Sequence, residues 1–424
     1  MLVSCYGNSY NSTTGASSNL KFRVFVSNPL APGVGGGGVP VLNIIDATKD
    51  VLSFSTVNMS GSNDPGLMAV APDKLQTLVF SDTTNTVAVI NNATESGAGG
   101  SNGQALPLIQ LQGPTKSLFV SKDNTVGYAA VPTAAVLGQN PGAVQVFSLV
   151  QARTAALLPV SHVASIVQSH TGTRVLAFGG DTCNDGTDPV VLIAVADIGS
   201  NQDPRTFICG FDHPVAGVFS NDDATAYVFN CGPECHGTSA GVAVLDLNSN
   251  TITATIPVPG GATAGLLNGS TVYVAGSAPG TPCGSGTMST SCGTLSVVDV
   301  GSLTVTNSVL IADGSHDRVI MGANGRIFIG ASHCTNINVA PSGGNPGEVR
   351  GCLSIFNTQN STAIVPPVNG DVTGIEPITN RNVVYVAQSG ELFIYDTTTD
   401  QLQAKQIDII GKAMDVVLVD NSSQ

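Results

Sequence analysis

The chain has 424 residues, 49 of them glycine, 23 proline and none tryptophan; 10% are charged, and 29 Asp and Glu against 15 Lys and Arg leave a formal net charge of −14. So few cations give no footprint for a phosphate backbone, which excludes nucleic acid as a partner. No segment approaches the ~20 apolar residues of a membrane-crossing helix, while an apolar content of 42% is ample for a core.

The N-terminus opens with Leu2-Val3-Ser4-Cys5, the residue types of a bacterial lipobox. A signal peptide would need charged and apolar stretches upstream of it. Either the chain starts inside such a peptide, or the four residues match by chance. The odd ninth cysteine favours the first reading, with Cys5 as the lipidated residue and the membrane reached only through that anchor. Residues 1–20 then form the lipobox-like start and a flexible polar tether, and residues 21–424 the folded unit.

From residue 21 a module of about fifty residues recurs eight times, each copy with four short apolar runs of strand-like alternation. The second run is the clearest: 23–27, 77–81, 126–130, 174–178, 225–229, 271–275, 326–330 and 382–386. The third run usually ends in Asp or Asn, at 41–46, 87–91, 242–246, 295–299, 353–357 and 392–396. First runs lie at 67–71, 117–121, 165–168, 216–220, 264–267, 318–321 and 373–376, and the eighth comes last, at 415–420. Four strands per unit at this period predict an all-β, eight-bladed β-propeller of antiparallel four-stranded blades. Seven blades is the alternative if 114–160 or 161–212 is misparsed. Because the chain starts on a second-type strand and ends on a first-type one, the C-terminal strand is expected to complete the first blade, removing the exposed edge of an open ring.

Eight of the nine cysteines fall two per module in four consecutive modules. Locality pairs Cys183 with Cys209, Cys231 with Cys235, Cys283 with Cys292 and Cys334 with Cys352, among 105 connectivities. The competing reading makes Cys231, Cys235 and His236, or His333 and Cys334, metal ligands. Zinc sites need converging knuckles, and these clusters lie on different modules. Disulfides imply an oxidising compartment and export to the periplasm or outer surface.

Tyr273-Val-Ala-Gly, Tyr385-Val-Ala-Gln and Thr86-Val-Ala-Val-Ile-Asn-Asn92, followed by turns such as Leu247-Asn-Ser-Asn-Thr251, resemble the YVTN-type β-propeller repeat. The resemblance covers nearly the whole chain from about residue 21. It implies a surface or periplasmic, lipoprotein-like propeller, and its relatives by fold include lactonases and lyases.

The segments leading into the first strands carry His162, His213 and His316 at matching positions, with Asp64 in the same place of another module. Beside them stand Asp317, Asp371, Lys116 and Lys412. The insertions 28–39, 131–142, 181–189, 230–241, 277–293 and 333–351 project from the same face. Such a rim could form a shallow pocket in which imidazoles and carboxylates bind a ligand, act as acid and base, or hold a metal. Alternatively, each polar residue caps its own turn. Gly-x-Ser-x-Gly elbows need a strand-to-helix turn, and no helix-length amphipathic segment supplies one. Residues 33–38 are glycine-rich but lack the helix and Lys of a phosphate cradle. The expectation is an exported binding propeller without catalysis or cofactor, contacting an unknown surface ligand or protein through its rim and the loops 277–293 and 333–351. Two alternatives stand: a divalent-metal hydrolase or lyase using His213 and His316, and a homo-oligomeric subunit of a surface assembly or filament.

Overall fold

The computed structural model describes residues 18–33, 38–59, 64–97, 108–277, 292–334 and 351–420. Its strands form eight sheets in a ring, each with its strands in chain order from the channel outwards except the first. The innermost strands are Asp415–Leu418, Met68–Val70, Ser117–Val120, Ser165–Gln168, Pro214–Phe219, Ala264–Asn268, Ser315–Met321 and Val372–Pro377, for blades 1 to 8. Residues 114–160 and 161–212 are both regular blades, so the count is eight and not seven. The outer position of blade 2 is split between Ser96–Gly97 and Leu108–Gln110, which both pair with Thr86–Asn91.

Blade 1 is closed as expected. Asp415–Leu418 lies antiparallel to Arg23–Pro32, with Ser27 opposite Asp415 and Val24 opposite Leu418. Arg23 bolts this junction: its guanidinium takes Asp420 in two bonds, of 2.8 and 2.9 Å, and reaches Glu95 of blade 2 at 2.8 Å.

Second and third strands are buried on both faces because each blade packs against two others. Val383–Gln388 is buried at every position, which explains the near-continuous apolar runs. Outer strands face water on one side and alternate, as in Thr251–Pro257 and Thr304–Ile311. The core therefore lies between blades; one cluster joins Tyr385 and Ile394 of blade 8 to Val24, Val26 and Ile45 of blade 1.

The Asp or Asn that ends a third strand has a local cause. Its side chain accepts the backbone N–H two residues on, as in Asp46 to Thr48, Asp246 to Asn248 and Asp396 to Thr398. Four residues after the end of the third strand (five in blade 4) the turn needs a left-handed residue, and all eight blades provide one: Asp50, Glu95, Ala152, Gly199, Asn250, Leu303, Ser361 and Asp400. The repeat seen in the sequence is largely this turn chemistry. It faces away from the long loops and is structural.

Candidate functional site

The segments leading into the innermost strands shape the rim of the channel on the loop-rich face. His162 and His213 there have φ of 55° and 52°. Left-handed backbone suits few residue types besides Gly, and His is among those enriched in it. Four of the six histidines, these two with His236 and His333, occupy such positions. Backbone demand thus accounts for part of the histidine pattern.

The expected column splits in the structure. Pro214 pairs with Asn230, His316 with Ala331 and Val372 with Gln388, each just before a bulge. His316 is therefore level with Pro214 and Val372, while Ser315 is level with His213 and Asp371. One residue of offset turns a side chain to the other face of a strand. His316 accordingly points into the seam, 3% exposed, with Nε2 donating to the Ala312 carbonyl at 3.0 Å and Nδ1 without a partner. Burial pushes its pKa down to about 4. It is a neutral core residue.

The other predicted rim residues are spread around the ring. His213 is half-exposed; its Nδ1 lies 3.1 Å from Asp188 and 3.4 Å from Asp212, and its backbone N–H donates to Asp188. His162 is exposed and donates its N–H to the Pro141 carbonyl. Asp317 pairs with its neighbour Arg318 at 2.8 Å. Asp371 accepts the His333 N–H at 2.7 Å, Lys412 donates its N–H to Asn28, and Lys116 lies close enough to oppose the burial that raises the Asp82 pKa. Asp64 is half-buried at the approach to blade 2. His213 and His316 sit on blades 5 and 7 and do not converge. Among the described residues, one trio of ligand-type side chains has converging donor atoms: Cys334, Cys352 and Asp371, within 4.8 Å. Its sulfurs are bonded to each other and offer no thiolate.

Three of the expected disulfides are formed: Cys183–Cys209, Cys231–Cys235 and Cys334–Cys352. Cys292 is also disulfide-bonded, and Cys283 lies outside the described residues, as do Cys5, the tether up to residue 17 and most of the loops 277–293 and 333–351. The Cys183–Cys209 bridge has the clearest local effect. It ties the loop 181–187 to the outer strand Arg205–Phe211 and makes one wall of a cleft of about 290 Å³ between blades 3 and 4. Gln139, Ser161, Asp181, Thr182, Asn184 and Phe207 face this cleft. Asn140 crosses from the blade 3 loop to Asp181 at 2.6 Å, and the loop is bonded internally by Asp185 to the Thr187 hydroxyl, also 2.6 Å. Its far end carries Asp188, the partner of His213. Blades 3 to 5 thus share one continuous, pinned polar sector.

Three acids outside the predicted site residues have pKa values raised to about 6 or higher: Glu376 and Asp415 on innermost strands and Glu234 in the loop 230–241. Register places Ala69, Phe119, Val167, Val218, Leu266, Ile320, Glu376 and Val417 in one ring, each opposite the third residue of its second strand. Seven are apolar and one is Glu376. Burial drives its pKa up to about 8, against the opposing pull of Lys74 and a hydrogen bond from the Leu418 amide. Asp415 stands in the next ring towards the mouth, 6% exposed, accepting the Met68 N–H at 2.8 Å. Burial raises it to about 6, with Arg318 opposing. Aligning the first strands residue by residue would have exposed Glu376 as the acid in an apolar column. The third, Glu234, sits over Gly261 and accepts the Ser277 N–H at 2.7 Å; burial lifts it to about 7.

The sequence matches no protein-family model and no curated protein. Solved structures of similar shape include several β-propellers. The dihydro-heme d1 dehydrogenase NirN in complex with DHE is 13% identical, with TM-score 0.64 over 96% of this chain and 77% of that one. The C-terminal WD40 domain of Sif2 is 8% identical, with TM-score 0.57 over 89% of this chain and 92% of that one. The Dos1 propeller is 8% identical, with TM-score 0.56 over 83% and 86%. At these identities the likeness concerns the fold alone.

Proposed function

We propose that this chain is an exported cell-surface or periplasmic binding propeller, of the YVTN-like kind and lipid-anchored through Cys5, that holds its ligand on the loop-rich face of blades 3 to 5 without chemistry of its own. The observation that carries the reading is the stapled loop 181–187, which builds the cleft on one side and supports His213 through Asp188 on the other. A loop fixed before binding spends little conformational entropy on its ligand, and binding residues commonly sit on loops held by a rigid scaffold. The disulfides support an oxidising compartment. The reading of binding rather than catalysis is supported by the spread of His162, His213, His316 and Asp371 over four blades, where they do not converge on one point.

The test is sedimentation of purified protein with isolated cell envelope of the source organism. Asp181→Arg with Asn184→Arg alters the cleft, and Asp73→Arg alters a turn on the opposite face. Retention of the wild type and of D73R, with loss in the cleft variant, is the expected result. Equal retention of all three, or none, overturns the reading.

A further inference from the structure

We propose that the cleft between blades 3 and 4 is a saccharide site for one or two neutral pyranose rings, an assignment that rests on the binding face proposed above. Its walls carry two carboxamides, Gln139 and Asn184, the hydroxyls of Ser161 and Thr182, and one carboxylate, Asp181. Carboxamides and hydroxyls both donate and accept, while a carboxylate only accepts. This mixture matches vicinal hydroxyl groups, each of which also does both. The cleft lining holds no Lys or Arg to neutralise an anionic ligand, and Arg205, beside Phe207, is committed to Asp203 in two bonds of 2.9 Å and to the Pro159 carbonyl at 2.6 Å.

The apolar element is Phe207, 48% exposed on an outer strand in a chain that is only 5% aromatic. The Arg205 guanidinium stands 5.7 Å from its ring centroid and steadies it. An exposed, steadied ring beside planar polar groups offers a surface for the C–H face of a sugar while the groups around it take the hydroxyls. The volume of about 290 Å³ is at the small end of ligand sites, roughly 300–1,000 Å³, which limits the occupant to a short stretch of glycan. The walls are set beforehand by the Cys183–Cys209 bridge and the Asn140–Asp181 bond across the two blades.

The experiment is saturation-transfer NMR on the full chain with cellobiose, maltose, lactose and N,N′-diacetylchitobiose as probes. Transfer to at least one is expected, with affinity falling about tenfold in Phe207→Ala, the scale of a lost aromatic contact, and by a similar factor in Asn184→Ala. Phe54→Ala, which removes an aromatic 92% exposed on the outer strand of blade 1, is expected to bind as the wild type does. No transfer from any probe, or equal weakening by F54A and F207A, overturns the assignment. If the cleft-dependent retention on cell envelope persists while all four sugars fail, the saccharide is wrong and the binding face stands. If that retention fails as well, both are wrong.

Discussion

Replacing Glu376 by Gln should make the protein more stable in alkali while leaving it nearly unchanged in mild acid. The carboxyl stands where seven blades place an apolar or methyl side chain, and its pKa rises from an ordinary 4.5 to about 8. Between those values the folded chain holds a proton that the unfolded chain has released, so stability falls as pH rises, by about 1.4 kcal/mol per pH unit. Over that window the full effect is ~5 kcal/mol. The side chain is only partly buried, and roughly half, ~2–3 kcal/mol, is the expected cost of ionising it once screening is allowed for. Gln keeps the shape and cannot ionise.

The assay is urea unfolding of both proteins, disulfides intact, at about pH 5 and pH 9. Asp415 and Glu234, raised to about 6 and about 7, lose stability in the same direction, so the wild type should soften in alkali for three reasons. The variant should recover the Glu376 share alone. An equal loss of stability in E376Q and wild type between the two pH values would refute the placement of this carboxyl in an apolar ring.

Arg23→Ala should destabilise by ~3–5 kcal/mol, since it leaves Glu95 buried and Asp420 partly buried without their cation; thermal melting at neutral pH measures it, and a change below ~1 kcal/mol would show that the clasp does not depend on this bolt. His316 acts in acid: its folded pKa of about 4 lies below the ordinary 6.5, so stability present above pH 6.5 is lost as pH falls towards 4, by ~3 kcal/mol. His316→Leu should remove that acid sensitivity in melting curves at about pH 4.5 and 7, and an unchanged slope would place the ring in water. Cys209→Ser opens a bridge spanning 26 residues; loop entropy gives ~3 kcal/mol as an upper scale, and hydrogen exchange should quicken at 181–188 before the rest of blade 4. Uniform quickening across the ring would deny the loop its local staple.

The blade count and the clasp were legible because both come from period and chain order. Four runs per module and a first-type strand at 415–420 leave one way to close the ring. The local cysteine pairs were legible for the same reason: a bridge such as Cys231–Cys235 needs only neighbours in sequence. The rim was harder. His316 follows Ser315, the residue level with His213, and only the ladder partners of Pro214, His316 and Val372 reveal that offset of one residue. The cleft was out of reach because Gln139, Ser161, Asp181 and Phe207 come from three segments that only the packing of blade 3 on blade 4 brings together. Nor did the third-strand Asp and Asn, so prominent in the repeat, belong to the site; they cap turns on the other face.

The scarcity of charge takes on a different sense once the ion pairs are placed. Of 15 cations, three guanidiniums join blades at consecutive seams: Arg326 to Asp400 between blades 7 and 8, Arg381 to Asp50 between blades 8 and 1, and Arg23 to Glu95 between blades 1 and 2. Tyr385 donates to the same Asp50. Between blades 4 and 5 the tie is His170 and Thr171 on Asp223, with the carboxyl held down at about 2 by backbone and side-chain hydrogen bonds. A ring of eight similar units has many near-equivalent ways to stack, since apolar faces of like shape distinguish neighbours weakly. A desolvated ion pair distinguishes them strongly, because the wrong neighbour leaves a charge buried alone. Three such pairs straddle the one junction that the chain cannot close by continuity, where the strand at 415–418 must find the strand at 23–32. Among the described residues these seam pairs put charge where the order of blades is decided, while the cleft between blades 3 and 4 carries one carboxylate, Asp181, among neutral polar groups able to meet a neutral ligand.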